Sequence, residues 1–105
     1  MIQVLFYPDG FTVTGHAGYG PPGHDIVCAG VSTLVQTFVA SVEALTDTKL
    51  NSNLSSGRAT VKYGNPSERS KLLIDSFLLG VRGIAEAYPV CVQVAEISLG
   101  ITTKP

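Results

Sequence analysis

Charged side chains are scarce in this chain of 105 residues: they make up 14% of it, and the formal net charge is −1. Ordinary soluble domains carry roughly 25% charged residues. Residues 1–48 contain no lysine or arginine, and no later segment combines a basic stripe with interleaved aromatics. The composition therefore does not indicate direct binding of nucleic acid. Because small, apolar, weakly charged chains often cover part of their surface with a partner subunit, we expect a homodimer.

Cysteines are also few, and the two present are Cys28 and Cys91. A small secreted fold would usually carry more cysteines at framework spacings, and a thiol redox enzyme would more often show Cys-x-x-Cys. The opening, residues 1–10, has no basic n-region and no small-residue cleavage site. We therefore expect a cytoplasmic protein with both thiols reduced.

The longest uncharged run covers residues 26–42. A membrane helix needs about 20 mostly apolar residues, so this length is borderline for a span. The run also contains serines, threonines and a glutamine. The sequence therefore predicts a buried core or interface helix here, and no membrane contact.

Hydrophobic periodicity and turn residues predict the element order ββαββαβ in one domain spanning residues 1–105. The predicted strands are residues 2–7, 11–16, 49–54, 58–63 and 90–99, the helices run over about residues 26–45 and 66–87, and residues 101–105 are a frayed tail. Asn65 is the predicted N-cap of the second helix, with Pro66 at its first position. Since hairpins need no parallel crossover, this order predicts an α+β fold with one mainly antiparallel sheet packed by two helices.

The loop at residues 17–25 reads AGYGPPGHD, and its glycines and prolines exclude regular structure. Asp25 then makes a good N-cap, which places Cys28 at the third helical position. Free N–H groups and the positive end of the helix dipole favour a thiolate there. His16 ends the preceding strand, so its imidazole can fold back to the sulfur. The pattern predicts a nucleophile and its base, joined by a loop that we expect to be mobile until substrate binds.

Spacing alone leaves alternatives open. A buried cysteine is often only a small hydrophobe, and this reading is strongly favoured for Cys91, which alternates with valines. His24 is a rival base, although it lies on the loop. Asp25 either orients the base or only caps the helix. Ser32, one turn after the nucleophile, either contacts substrate or satisfies a carbonyl within its own helix.

The local sequence narrows these alternatives. GHA at residues 15–17, followed by GHDIVCAGVS at residues 23–32, closely resembles the signature of the Prp family of ribosomal-processing cysteine proteases. The pattern of that family is GHA, a glycine-containing loop and then G-x-D-I-V-C-A-x-V-S. The resemblance includes the spacing between the histidine and the cysteine, and it extends through element order and length to nearly the whole chain.

The resemblance implies a catalytic pair at Cys28 and His16, with the aspartate and serine of the motif at Asp25 and Ser32. Family members remove a short N-terminal extension from a ribosomal protein, the twenty-seventh of the large subunit. The expected substrate is therefore a ribosomal protein peptide, and the expected role is a contribution to ribosome assembly. The family's chemistry needs no metal or organic cofactor.

Ordinary acyl-transfer chemistry supplies the expected mechanism. His16 takes the thiol proton, and Cys28 attacks the scissile carbonyl. The oxyanion is expected near the backbone N–H groups of Cys28 and Ala29. Gly15, next to the base, is a further residue that we expect to support the site, with Asp25, Ala29 and Ser32. The rival hypothesis is a non-enzymatic ribosome-associated factor that binds the same target without cleaving it.

Overall fold

A computed structural model describes residues 1–97 of the chain. The predicted end of the last strand and the predicted frayed tail lie outside the described residues. The elements are β1 (Ile2–Tyr7), β2 (Gly10–Thr14), α1 (Ile26–Leu45), β3 (Asn51–Ser55), β4 (Arg58–Lys62), α2 (Glu68–Ala87) and β5 (Val92–Glu96). The predicted order ββαββαβ is confirmed.

The five strands form one sheet in the order β3-β4-β2-β1-β5. Three neighbouring pairs are antiparallel, whereas β5 pairs with β1 in parallel, with Val92 beside Ile2. The predicted α+β fold with a mainly antiparallel sheet is confirmed. The argument from hairpins missed the parallel edge, which arises because α2 carries the chain back to start β5 beside the start of β1.

Aromatic rings join the sheet to both helices. Phe11 of β2 stacks on Phe77 of α2 with ring centroids 4.5 Å apart, and it meets the edge of Phe38 of α1 at 5.4 Å. On α1, one face of valines and Phe38 is buried in the same cluster. This helix is long and apolar enough to cross a membrane by length and composition, a test that the core helix of a soluble protein also passes.

The second strand ends at Thr14, so the prediction that His16 lies at the end of this strand is wrong by two residues. The chain leaves the sheet at Gly15, whose φ is +93°. A side chain at this position would collide with the carbonyl oxygen of Met1. Glycine therefore permits a turn that other residues rarely adopt, and His16 follows in irregular structure.

Three other predicted boundaries are also corrected. The second helix starts at Glu68 with Ser67 as its N-cap, because the Ser67 hydroxyl, and not Asn65, accepts the free N–H of Ser70 at 3.2 Å. The third strand starts at Asn51 rather than residue 49. The last strand starts at Val92 rather than residue 90, because the N–H groups at 91 and 92 both donate to the carbonyl of Tyr88, at 2.9 and 3.1 Å.

Candidate active site

A groove of about 880 Å³ opens between the start of α1, the loop after β2 and the turn between β3 and β4. Its walls carry apolar side chains from the sheet and from α1, with polar groups at the loop and the turn. All six residues selected from the sequence line it: Gly15, His16, Asp25, Cys28, Ala29 and Ser32. The fold therefore brings together residues from two separate segments, the chain after β2 and the start of α1.

Cys28 lies three residues after the N-cap of α1, as predicted, and its side chain is half-buried. The backbone N–H of Ala17 points at its sulfur, with 3.3 Å between N and Sγ. A donor aimed at a sulfur atom stabilises negative charge on it. The thiol is therefore placed between the helix start and the loop, open to the groove on its remaining side.

Asp25 binds both the helix and the loop. Its Oδ1 accepts the N–H groups of Val27 and Cys28, each at 3.0 Å, and its Oδ2 accepts those of Tyr19 at 2.9 Å and Gly20 at 3.1 Å. These bonds, first of all the one from Cys28, lower the pKa of the Asp25 carboxyl against the opposing effect of desolvation. The sequence predicted Asp25 as the N-cap, but it did not predict the two hydrogen bonds from the loop, which only the structure shows.

The cap has a consequence for the expected oxyanion site. The N–H of Cys28 donates to Asp25 Oδ1, and the N–H of Ala29 donates to the Asp25 carbonyl oxygen at 3.0 Å. Both N–H groups are therefore engaged at the start of α1 in this structure, and the oxyanion site around Cys28 and Ala29 stays a prediction. A further backbone donor, the N–H of Ala17, faces the Cys28 sulfur.

His16 is exposed on the wall of the groove, and its ring rests on the β3–β4 turn. A Cβ built on Gly57 would lie 2.7 Å from His16 Nε2 and 3.0 Å from Cε1. Within residues 1–97, no hydrogen bond joins the imidazole to the Cys28 thiol. The structure thus places the predicted base and the predicted nucleophile in one groove without linking them directly.

The other residues considered for the site differ in whether they line the groove. Among the described residues, the rival base His24 lies outside the walls of the groove. Tyr19, a loop tyrosine that could contact substrate, also lies outside them, and its ring meets the edge of Tyr88 at 5.1 Å. Ser32 does line the groove, where its hydroxyl accepts the Gln36 amide at 2.9 Å rather than bonding a helix carbonyl. Cys91 is buried at 5% exposure in the hydrophobic core, which agrees with the packing role predicted for it.

Sequence reasoning missed the contribution of the β3–β4 turn, residues 55–58, and of Gln36. The turn itself was visible as Ser-Ser-Gly between two strands, but its place beside His16 depends on the pairing of β2 with β4. In the part of the chain that the structure describes, no three His, Cys, Asp or Glu side chains are grouped as metal ligands would be.

Comparison with known proteins identifies relatives of this chain. The family model described as cysteine protease Prp matches residues 1–93. The ribosomal processing cysteine protease Prp of Staphylococcus aureus is 30% identical over 77 residues, which cover 70% of this chain and 73% of that protein.

Solved structures share the fold. The S. aureus protease Prp in complex with a covalently linked product peptide superposes with a TM-score of 0.88 at 24% identity, covering 92% of this chain and 100% of that chain. A Streptococcus mutans protein superposes with a TM-score of 0.74 at 33% identity, covering 93% of this chain and 95% of that one. On the match of the family model and the curated relative, this chain belongs to the cysteine protease Prp family.

Proposed function

We propose that this protein is a single-domain cysteine endopeptidase that removes the N-terminal extension of a large-subunit ribosomal protein, the twenty-seventh. Cys28 is its nucleophile and His16 its general base. The observation that carries the proposal is the half-buried thiol at the start of α1, which faces an open groove and receives the Ala17 N–H. Family membership supports it, because the S. aureus relative is a ribosomal processing protease.

The chemistry uses groups that line the groove. His16 Nε2 or Nδ1 takes the proton from the Cys28 thiol, and the thiolate adds to the scissile carbonyl. The Ala17 N–H, released from the sulfur as the S–C bond forms, donates to the oxyanion. His16 then protonates the leaving amine, and water hydrolyses the thioester to free the thiol and the acid product.

The lining of the groove suits apolar side chains of a peptide substrate. Its floor and walls include Ile2, Val13, Val31 and Val35, while Leu54 lines it from the hairpin. Apolar walls of this kind favour large apolar substrate side chains, since their burial is worth roughly 25 cal/mol per Å² of apolar surface. We therefore propose cleavage after an aromatic residue, as the family resemblance implies.

A synthetic peptide that spans the end of the extension tests the proposal. Mass spectrometry should show a single cut by the wild-type protein, and none in a peptide of the same composition in scrambled order. The S. aureus protein has been crystallised with a substrate peptide, so binding can be measured alongside cleavage. Binding of the peptide without cleavage would overturn the proposal in favour of a non-enzymatic ribosome-associated factor.

We further propose that the protein acts as a homodimer in the cytoplasm, where ribosomal proteins are assembled. The solvent-facing side of α1 supports an interface, because Glu43 is the one charged residue in this 20-residue helix. Light scattering at micromolar concentration should report twice the chain mass of 11.0 kDa. A monomer at that concentration would contradict the dimer, and recovery in a membrane fraction would contradict the location.

A further inference from the structure

The proposed base, His16, lies outside the helices and strands, so no regular secondary structure fixes its position. His16 follows the end of β2 and precedes the glycine-rich loop, and it is exposed to solvent. A side chain in such a place samples several rotamers unless something fixes it. General-base catalysis requires the imidazole to come within hydrogen-bond reach of the thiol, so the structure that limits where the ring can lie matters for turnover.

That structure is the turn between β3 and β4. Its glycine, Gly57, has φ at +72°, and its carbonyl oxygen accepts the N–H of Gly15 at 2.9 Å. This bond ties the residue before His16 to the turn. The imidazole then lies against the bare Cα of Gly57, at a distance that leaves no room for a side chain.

We propose that Gly57 is a positioning residue for His16, which rests on the proposed role of His16 as the base. The glycine holds the backbone of the base through its carbonyl and supports the ring with a surface that only glycine presents. A Cβ at this position would stand 2.7 Å from His16 Nε2, closer than real Cβ contacts come, and 3.0 Å from Cε1, which is also a tight contact. The ring must therefore move away from its place when any other residue stands there.

The chain supplies a matched control in Gly64, which follows the other end of β4. Its φ is +60°, close to that of Gly57, so both substitutions by alanine strain the backbone in the same way. A Cβ on Gly64 meets nothing within 4 Å, whereas a Cβ on Gly57 meets the His16 ring. The difference between Gly57→Ala and Gly64→Ala isolates the contact with the base.

Two measurements on the full chain make the test. In peptide cleavage, Gly57→Ala should lower kcat by about tenfold or more with KM little changed, because a misplacement of about 1 Å costs up to about a hundredfold. Gly64→Ala should retain the wild-type kcat. In NMR spectra at pH 7, the ring signals of His16 should shift in Gly57→Ala alone, and those of His24 serve as an internal reference.

The outcomes separate the two proposals. If the wild type cleaves no peptide, the proposed function fails, while the NMR shift still decides whether Gly57 holds the ring. Wild-type kcat in Gly57→Ala, or an unmoved His16 signal, overturns the positioning role. If Gly57→Ala does not fold, Gly57→Asn against Gly64→Asn repeats the comparison, because asparagine tolerates the left-handed conformation and still carries a Cβ.

Discussion

Both long helices begin with the same local design, yet only one beginning lies on the groove. Each is a helix of 20 residues capped by a side-chain oxygen, from Asp25 in α1 and from Ser67 in α2. Each carries a potential nucleophile three residues after its cap, Cys28 in the first and Ser70 in the second. The helix dipole acts on both positions alike. What separates them is what each side chain meets beyond its own helix.

Ser70 is closed off by hydroxyls. It is 1% exposed and donates to Thr48 Oγ1 at 2.6 Å, while the cap hydroxyl of Ser67 donates to it at 3.1 Å. These bonds join the start of α2 to the segment before β3. They satisfy the buried hydroxyl and leave it no open side.

At α1 the cap is a carboxylate, whose second oxygen reaches outward. This oxygen accepts hydrogen bonds from the N–H groups of Tyr19 and Gly20 in the loop. The N–H of Ala17, at the start of the same loop, donates to the sulfur of Cys28. The sulfur therefore keeps one face on the groove. The comparison teaches that a helix start is not a site by itself; the loop and the turn that surround it make the difference.

The largest expected effect on cleavage comes from removing the Cys28 side chain, and removing the Ser70 side chain provides the comparison. Cys28→Ala should abolish cleavage and leave peptide binding intact, because the nucleophile is lost while a small side chain still fits. Ser70→Ala should keep full turnover but lose about 1–3 kcal/mol of stability, since the hydroxyls it bonds lose a buried partner. Mass spectrometry of the products and urea unfolding measure the two quantities.

A third variant controls for thiol loss in general. Cys91→Ala should retain most activity with some loss of stability from a small cavity, because Cys91 is buried in the core. Iodoacetamide should label Cys28 before Cys91, and the substrate peptide should slow that labelling. Full cleavage by Cys28→Ala would contradict the mechanism.

The next effect concerns the base. His16→Ala should lower turnover by about a hundredfold or more, because general-base assistance is worth about 10²- to 10⁴-fold. His24→Ala is the matched control, since His24 is exposed on the loop that follows His16 but, among the described residues, lies outside the walls of the groove. Initial rates of peptide cleavage compare them. An equal loss in both variants would remove His16 from the role of base.

Much of this arrangement could be read from local patterns. Asp25 before an apolar run predicted where α1 begins, and this start fixed the helical position of Cys28. Alternation and turn residues likewise predicted the order of elements. Such features depend on neighbours within a few residues, and local chemistry decides them.

The remainder depends on contacts that are distant in sequence. The place of Gly57 beside His16 follows from the pairing of β2 with β4, in which Thr14 lies opposite Arg58. The parallel position of β5 and the hold of Asp25 on Tyr19 are of the same kind. Turn residues indicate which consecutive strands form hairpins, but a single sequence does not show which strands from different hairpins become neighbours, so these features are seen only in the folded chain.

A smaller effect is expected from removing the caps. Ser67→Ala should cost about 1 kcal/mol, as loss of an N-cap typically does, and leave turnover unchanged. Asp25→Ala should destabilise α1 and also lower turnover by about tenfold or more, because the loop that presents Ala17 is released. Hydrogen exchange should accelerate at Tyr19 and Gly20 in this variant alone. Unchanged turnover in Asp25→Ala would show that the loop does not need its carboxylate.

The smallest effect is a pH dependence that only one of the two caps possesses. The N–H groups of Cys28 and the loop lower the pKa of Asp25 below its ordinary value of 3.8. A carboxyl whose pKa is lower in the folded than in the unfolded state stabilises the fold fully above the ordinary pKa, and this contribution is lost as the pH falls through the folded value. Urea midpoints of the wild type and Asp25→Asn should therefore differ most near neutral pH.

The difference in urea midpoint between the wild type and Asp25→Asn should shrink below pH 3.8, because a protonated Asp25 accepts hydrogen bonds no better than the amide that replaces it. The matching difference between the wild type and Ser67→Ala should stay constant over the same range, since a serine hydroxyl does not titrate there. Urea unfolding of the three proteins between neutral pH and pH 3 measures both trends. If the difference in urea midpoint between the wild type and Asp25→Asn did not depend on pH, the charge of Asp25 would not be what ties the loop to the start of α1. The two caps would then differ only in the positions of the groups that they bind.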